Sequence, residues 1–345
     1  MKKKIIYKLI LVMLVLGIVG CEKNNNKSQP LSRTEIFMGT AVTIKLYDKQ
    51  DEAILDKAFK NVKYMEDLVS INKDGTELDK VNENAGISPV KVSDFTFEII
   101  EKGLEYSKLS NQGYDITIGP LVKLWSIGLP EAKVPTENEI QETLKNIYYT
   151  KVKIDNSTNE VFLTQEGMLI DLGSIAKGYA ADETAKLLRE EGVKSAIIDF
   201  GGNIYALGSK SEDEKWNIGV QDPFDERGSI VGTVKVEDKT FVTTGIYERF
   251  LKEDGVTYHH ILNPKTGYPF ETDIQGVSII ADKSIDADAL STLIFTEGVE
   301  NGLKLIESLE GIDAIFVTNE KQVYITSGVK ETFELTNSNF ELCNK

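Results

Sequence analysis

Cysteine and histidine are almost missing from this sequence of 345 residues, with two of each. The cysteines, Cys21 and Cys343, exclude a metal site built on thiolates. The histidines are neighbours, His259 and His260, and cannot make a zinc site by themselves. Adjacent side chains on a strand face opposite ways, so at most one of the pair enters any one site, and His259 is read as the one outside. Positive charge is short as well: 39 Lys and Arg stand against 55 Asp and Glu, a net charge of −16. Nucleic-acid binding depends on displacing counterions with cationic side chains, so nucleic acid is excluded as a partner. Broad adsorption to anionic lipid is disfavoured for the same reason. Most of the excess acid reads as solvated surface. There is no internal repeat, no low-complexity segment in the body and no second linker rich in Pro, Gly or Ser.

Long apolar runs are also lacking, except at the start. Lys2, Lys3, Lys4 and Lys8 precede an apolar stretch from Leu9 to Val19, broken only by Gly17. That is too short to span a bilayer, which takes about 20 residues, but it suits the core of a signal peptide. The run ends in Ile18-Val19-Gly20-Cys21, which resembles a lipobox, in which the Cys is acylated and becomes the new N-terminus. A plain signal peptide or an anchor helix is the alternative. Lipidation of Cys21 implies a protein held to the cell membrane on its extracytoplasmic face. At roughly 0.8 kcal/mol per buried CH₂, two acyl chains hold stably where one does not. Loss of the signal's four lysines takes the net charge to about −20. With Cys21 committed to lipid, no disulfide is available within the chain, although export would permit one. Glu22 to Pro30, rich in Asn and Lys, has little to bury and reads as a tether. The expected division is a signal peptide over 1–20, a lipidated tether over 21–34, a globular domain over 35–330 and a tail over 331–345. A domain of that length is ample for a core.

Within the body, helix and strand signals interleave without a strict rhythm. Val42, Ile44 and Leu46 alternate with polar residues, as on a half-buried strand. Leu55, Phe59, Val62, Met65 and Val69 recur every three or four positions, which predicts an amphipathic helix over 52–69. Ser93 or Asp94 caps a helix running to about Lys108, and Thr136 with Glu139 has capping-box spacing. Short strands follow around 152–154, 161–163, 195–200, 216–220, 230–236 and 275–281, interrupted by helices over 175–191 and from Asp286 to about Glu310. The expected class is α+β: one compact body with a largely antiparallel sheet and packed helices, divided at most into two lobes.

Three segments carry candidate chemistry. Gly113-Tyr114-Asp115 through Gly119-Pro120-Leu121 and Trp125 describes an irregular loop where backbone approaches a ligand, or a structural turn. Asp171 through Tyr179 reads as a strand end, a Gly-containing turn and a helix start, which sets backbone N–H groups and a helix dipole beside Lys177, as a phosphate requires. The plain alternative makes Ser174 a helix N-cap and Lys177 a solvated residue. In Ser284 to Thr292, Asp288 and Thr292 share a helix face with Ser291 adjacent, a hard-oxygen set suited to Mg²⁺. Acids decorating a helix N-terminus are the alternative, and the better one for Asp286.

Together and in this order these segments resemble the ApbE family, the Mg²⁺-dependent FAD:protein FMN transferases. The resemblance includes Met38-Gly39-Thr40, Asp199 to Asn203, Trp216 to Pro223, Thr243-Thr244-Gly245 and His260 to Gly267, and spans roughly Glu35 to Tyr324. It implies an ApbE-type, T-fold-like body with FAD as substrate. The reaction it implies cleaves the FAD pyrophosphate, releases AMP and joins FMN to a Thr or Ser hydroxyl of an acceptor protein, here an extracytoplasmic domain of a membrane redox complex. It also implies that Asp171 and Asp115 hold the adenosine half and that Lys177 approaches FAD. Met38, Gly113, Tyr114 and Leu262 would line the cofactor pocket. Ser174, Asp288, Ser291 and Thr292 would hold Mg²⁺, with His260 near the reacting phosphates. One position departs from the family pattern. Where many members carry Ser-x-Tyr or Ser-x-Trp, this chain has Ser70-Ile71-Asn72. Asn72 cannot stack on the isoalloxazine as an aromatic does, so hydrolysis of FAD to FMN and AMP is an expected second activity. A surface FAD-binding lipoprotein without turnover is the alternative of a different class.

Overall fold

A computed structural model describes residues 29–110 and 112–343. The signal segment, Cys21 and most of the tether lie outside the described residues. The chain opens with a hairpin of β1 (Leu31–Phe37) and β2 (Thr40–Leu46). Then come α1 (Glu52–Val69), α2 (Glu77–Glu83), β3 (Val90–Lys91), α3 (Asp94–Leu109), α4 (Gly119–Trp125) and α5 (Glu137–Leu144). The middle holds β4 (Val152–Asp155), β5 (Glu160–Leu163), α6 (Ala176–Glu190), β6 (Ser195–Phe200), β7 (Asn203–Gly208), β8 (Trp216–Gln221), β9 (Ile230–Val236) and β10 (Lys239–Gly245). A small hairpin of β11 (Phe250–Glu253) and β12 (Val256–His259) follows. The last part contains β13 (Ile274–Ala281), α7 (Ser284–Glu307), β14 (Asp313–Thr318), β15 (Gln322–Ile325), β16 (Phe333–Leu335) and β17 (Glu341–Leu342).

Nine strands form one sheet in the order β1-β2-β6-β7-β10-β13-β14-β15-β17. Every pairing in it is antiparallel except β15 with β17. Both faces of its centre are covered. Val242, Ile279 and Phe316 pack with α7 and α3, whereas Phe241, Ile280 and Ile315 pack against Trp216, Val231 and Val234 of the β8-β9-β16 sheet. That double cover explains why β13 is apolar almost without interruption instead of alternating. A separate cluster joins the stripe of α1 (Leu55, Phe59, Val62, Met65) to β2, β6 and α6.

The caps form as their sequence signals require. Asp51 accepts from Ala53 N, Ser93 from Thr96 N, and Thr136 with Glu139 closes a capping box. The body is α+β with a largely antiparallel sheet, as expected. Three local expectations need correction. The Gly119–Trp125 stretch is a short helix with Pro near its start, not irregular loop. Ser174 is not an N-cap, because α6 starts at Ala176 after Ile175 with no side-chain cap. Residues 331–343 are not a tail: β16 pairs β9 and β17 pairs β15, while at the other end β1 already begins at Leu31.

Candidate active site

The site is built on the crossing of α6 and α7. At Gly178 a Cβ would lie 2.3 Å from Ser284 O and 2.7 Å from Asp288 Cβ, so only glycine lets the two helices approach this closely. The Asp288 carboxylate thereby enters the first turn of α6, where its Oδ2 accepts from Gly178 N at 2.8 Å. The helix that lacks a cap of its own receives one from its neighbour. The service is returned: Asp182 of α6 accepts from Ser284 N and Ile285 N, 2.7 and 2.9 Å away, at the start of α7. Lys177 Nζ donates to Gly173 O at 2.9 Å and stands 3.5 Å from Asp288 Oδ1, whose side chain is 5% exposed. Thr292, one turn beyond Asp288, is half-buried. Ser291 is fully buried and turned to the sheet, donating to Asp288 O at 2.8 Å with Thr244 Oγ1 of β10 2.7 Å away. The structure therefore puts Ser291 behind Asp288, as its support. Asp286 faces elsewhere, accepting from Tyr106 OH at 2.7 Å, as the plain reading requires.

A second wall comes from the loop between α3 and α4. Ser110 Oγ accepts from Tyr114 N at 2.8 Å, which fixes the turn. A Cβ on Gly113 would lie 2.8 Å from Thr296 Oγ1, so packing against α7 already requires glycine there. The Tyr114 hydroxyl is 2.9 Å from Ser174 Oγ, and burial raises its pKa above the usual phenol value. Asp115 is buried with both oxygens engaged: Oδ1 accepts from Thr117 N and Oγ1 at 2.8 and 2.6 Å, and Oδ2 from Tyr149 N at 3.0 Å. Its carboxylate shapes the loop and faces the protein. Burial raises its pKa, against the lowering effect of those hydrogen bonds. Asp171 accepts from Gly173 N at 2.7 Å. Burial raises its pKa too, while that hydrogen bond and the charges of Lys177, Arg249 and Lys123 lower it.

His260, Leu262, Met38 and Asn72 are the remaining site residues that the resemblance implies. His260 N and Nδ1 each lie 3.2 Å from Arg249 O. With Nδ1–H donated to that carbonyl, Nε2 is left as the acceptor. Burial pushes the His260 pKa down to about 4, with the Arg249, His259 and Lys177 charges adding to the effect. His259 is turned into the protein, its Nε2 2.8 Å from Phe270 O and its ring edge-on to Phe295. Leu262 is buried with Leu121, Trp125 and Ile140, and Trp125 Nε1 donates to Gly267 O at 2.8 Å, which ties α4 to the His260–Gly267 segment. Met38 takes a left-handed backbone, φ 50°, and its N donates to Glu66 Oε1 at 2.7 Å. Glu66 also pairs with Lys73, next to the exposed Asn72. One carboxylate thus fixes the Met38 turn relative to the Asn72 loop.

Both histidines have lowered pKa values, and this gives a direct expectation. A group that binds its proton less readily folded than unfolded favours unfolding on protonation. Stability from the pair is complete above the ordinary histidine value of about 6.5 and declines as the pH falls toward 4. In an NMR titration neither imidazole should protonate at its ordinary value. A His260 midpoint at or above 6.5 is the contrary result.

Several site residues were not singled out from the sequence. Asn82 of α2 accepts from Ile170 N at 2.7 Å and donates to Ile170 O at 3.1 Å, pairing with the chain just before Asp171 like a strand. Glu66, Ser110 and Asp182 act through backbone N–H groups, which leave no spacing signal. Thr244 and Arg249 lie in or just after a motif that carried the resemblance, and that proximity was the only available cue.

Among the described residues no group of three or more His, Cys, Asp or Glu side chains could hold a metal. The set that the resemblance implies would instead offer one carboxylate, Asp288, with the hydroxyl of Thr292 and the hydroxyl or carbonyl of Ser174, Ser291 being turned to the sheet. Such a hard-oxygen set fits Mg²⁺ that completes its shell with water and substrate phosphate.

Relatives place this fold and these motifs among enzymes that handle flavins. The sequence model of the ApbE family matches residues 38–316. The FAD:protein FMN transferase of Klebsiella pneumoniae (strain 342) is 36% identical over 311 residues, covering 90% of this chain and 96% of its own. That of Treponema pallidum (strain Nichols) is 35% identical and covers 96% of each chain. Among solved structures, the ApbE protein of Thermotoga maritima superposes with a TM-score of 0.79 at 30% identity, covering 87% of this chain and 98% of its own. The flavin transferase ApbE from Vibrio cholerae gives 0.79 at 25% identity, covering 88% and 99%. The chain belongs to the ApbE family.

Proposed function

We propose that this protein is a Mg²⁺-dependent FAD:protein FMN transferase. The observation that carries the reading is the Asp288 carboxylate seated in the first turn of α6 beside Lys177, where a cation and a phosphate can meet. In the reaction, an acceptor hydroxyl forms a new bond to the FMN phosphorus, the P–O–P bond breaks, AMP leaves with the bridging oxygen, and the hydroxyl proton is released to water. Asp288, Thr292 and Ser174 would hold a Mg²⁺ ion, which would supply charge neutralisation on the phosphates. Lys177 adds a cationic contact, and the start of α6 directs its dipole at the same place. His260, neutral at physiological pH, offers Nε2 to the incoming hydroxyl and orients its proton. Asp115, with its carboxylate turned inward, supports the site from behind. The proposed setting is the extracytoplasmic face of a membrane, with Cys21 lipidated and acceptors on extracytoplasmic redox domains. That part rests on the lipobox alone.

Mass spectrometry of an acceptor carrying a flavinylation-type Thr or Ser motif, after incubation with FAD and Mg²⁺, tests the reading. A mass increase equal to covalent FMN, with AMP released, is expected. Recovery of unmodified FAD and acceptor overturns it in favour of a flavin-binding lipoprotein. The exposed Asn72 favours a second activity, FAD hydrolysis, because no aromatic ring there shields the phosphate from water. AMP is therefore expected from FAD and Mg²⁺ without an acceptor, and Asn72→Tyr should reduce it several-fold relative to transfer. AMP formed only when acceptor is present defeats the hydrolysis proposal.

A further inference from the structure

Arg249 is placed by its surroundings as few exposed arginines are. Its stem runs along Gly128, where a Cβ would lie 3.2 Å from Arg249 Cδ, and its guanidinium reaches Gly39 O at 3.4 Å. It therefore spans from the turn after α4 to the turn that carries Met38. Its own carbonyl receives both N–H groups of His260. Its charge is felt at Asp171 and at His260, together with that of Lys177. In a chain with 55 acidic residues, this guanidinium forms no ion pair with any carboxylate among the described residues. By contrast, Arg33 and Arg189 each pair with an acid within 2.6 Å. An exposed guanidinium held by a main-chain carbonyl and paired with no carboxylate is a preorganised anion contact, and its planar fork matches two phosphate oxygens at once.

We propose that Arg249 is a substrate contact that grips the diphosphate of FAD from the solvent side of the site, with Lys177 holding it from the protein side. This rests on the flavin reading of the site. The role divides naturally between side chain and main chain. The carbonyl orients His260, so replacing the side chain leaves that imidazole anchored. The guanidinium supplies the second positive charge that a diphosphate needs besides its metal.

Equilibrium binding of FAD and of riboflavin, which has no phosphate, separates the contact from a structural role. Both are followed by flavin fluorescence on the full protein, with Arg249→Ala and Arg249→Lys compared to the unaltered chain. Arg249→Ala is expected to weaken FAD about tenfold or more, as loss of a hydrogen bond to a charged group does, while riboflavin binding stays within about twofold of its starting value. The lysine variant should fall between the two, since it keeps the charge and loses the fork. The salt dependence of FAD binding should also be shallower in Arg249→Ala. Equal weakening of FAD and riboflavin, or unchanged FAD binding, overturns the inference and leaves the functional reading intact. Failure of the unaltered protein to bind FAD at all overturns both.

Discussion

Asp288→Asn should abolish FMN transfer while leaving the fold in place. The asparagine carbonyl can still accept from Gly178 N, the bond that Asp288 makes at 2.8 Å, so the cap on α6 survives. What disappears is the negative charge, and with it the only carboxylate in the proposed cation site. Loss of the cation's stabilisation of the transferred phosphate is worth roughly 4 kcal/mol or more, about a thousandfold in rate. The cost in stability is about 1 kcal/mol, the scale of one altered buried hydrogen bond. Acceptor mass and AMP release measure the first quantity, and thermal unfolding followed by circular dichroism measures the second. Transfer at more than a tenth of the original rate would remove Asp288 from the mechanism.

Gly178→Ala is the second large effect, and two physical terms oppose each other in it. Alanine is favoured over glycine inside a helix by about 1 kcal/mol. The added methyl, however, would stand 2.3 Å from Ser284 O and 2.7 Å from Asp288 Cβ, atoms that belong to another helix and cannot swing aside. Overpacking of this kind costs about 1–3 kcal/mol and sometimes more, so it outweighs the helix gain. Each net kcal/mol lowers the melting temperature by about 2–4 °C in a protein of some two hundred residues, and somewhat less in a longer chain. Transfer should fall further than stability does, because parting α6 from α7 draws the Asp288 carboxylate out of the first turn. A melting temperature that rises, with transfer intact, would show that the crossing is looser than its distances state.

How much of this was readable beforehand depends on where each signal resides. The α1 stripe, the Ser93 and Thr136 caps and the alternation of β2 are local patterns, and they formed as written. Asp288 and Lys177 stood out because Mg²⁺ and phosphate chemistry demand those residue types, and the fold does bring them together across 111 positions. The partners of that pair were not legible. Gly178 reads as an ordinary small residue until a second helix is laid across it, and Asp182 as one more acid on an acidic surface. Asp115 is the reverse case: the resemblance implied a contact to the adenosine half, while what the structure shows is its oxygens accepting from Thr117 and Tyr149. Strands β16 and β17 were missed because each is three residues or fewer and takes its meaning from a distant neighbour.

The hairpin turn at Met38 and the hydroxyl of Thr292 stand far apart in the chain, yet the proposed site draws on both. The sheet beneath them is also closed at its two edges by the first and the last strands. A growing chain therefore has nothing to work with until nearly all of it has been made. Contacts of such long range form late and slowly, since loop-closure entropy must be met before they reward the chain. Activity here should arrive as a single event at the end of folding, and shortened chains should be silent instead of weak.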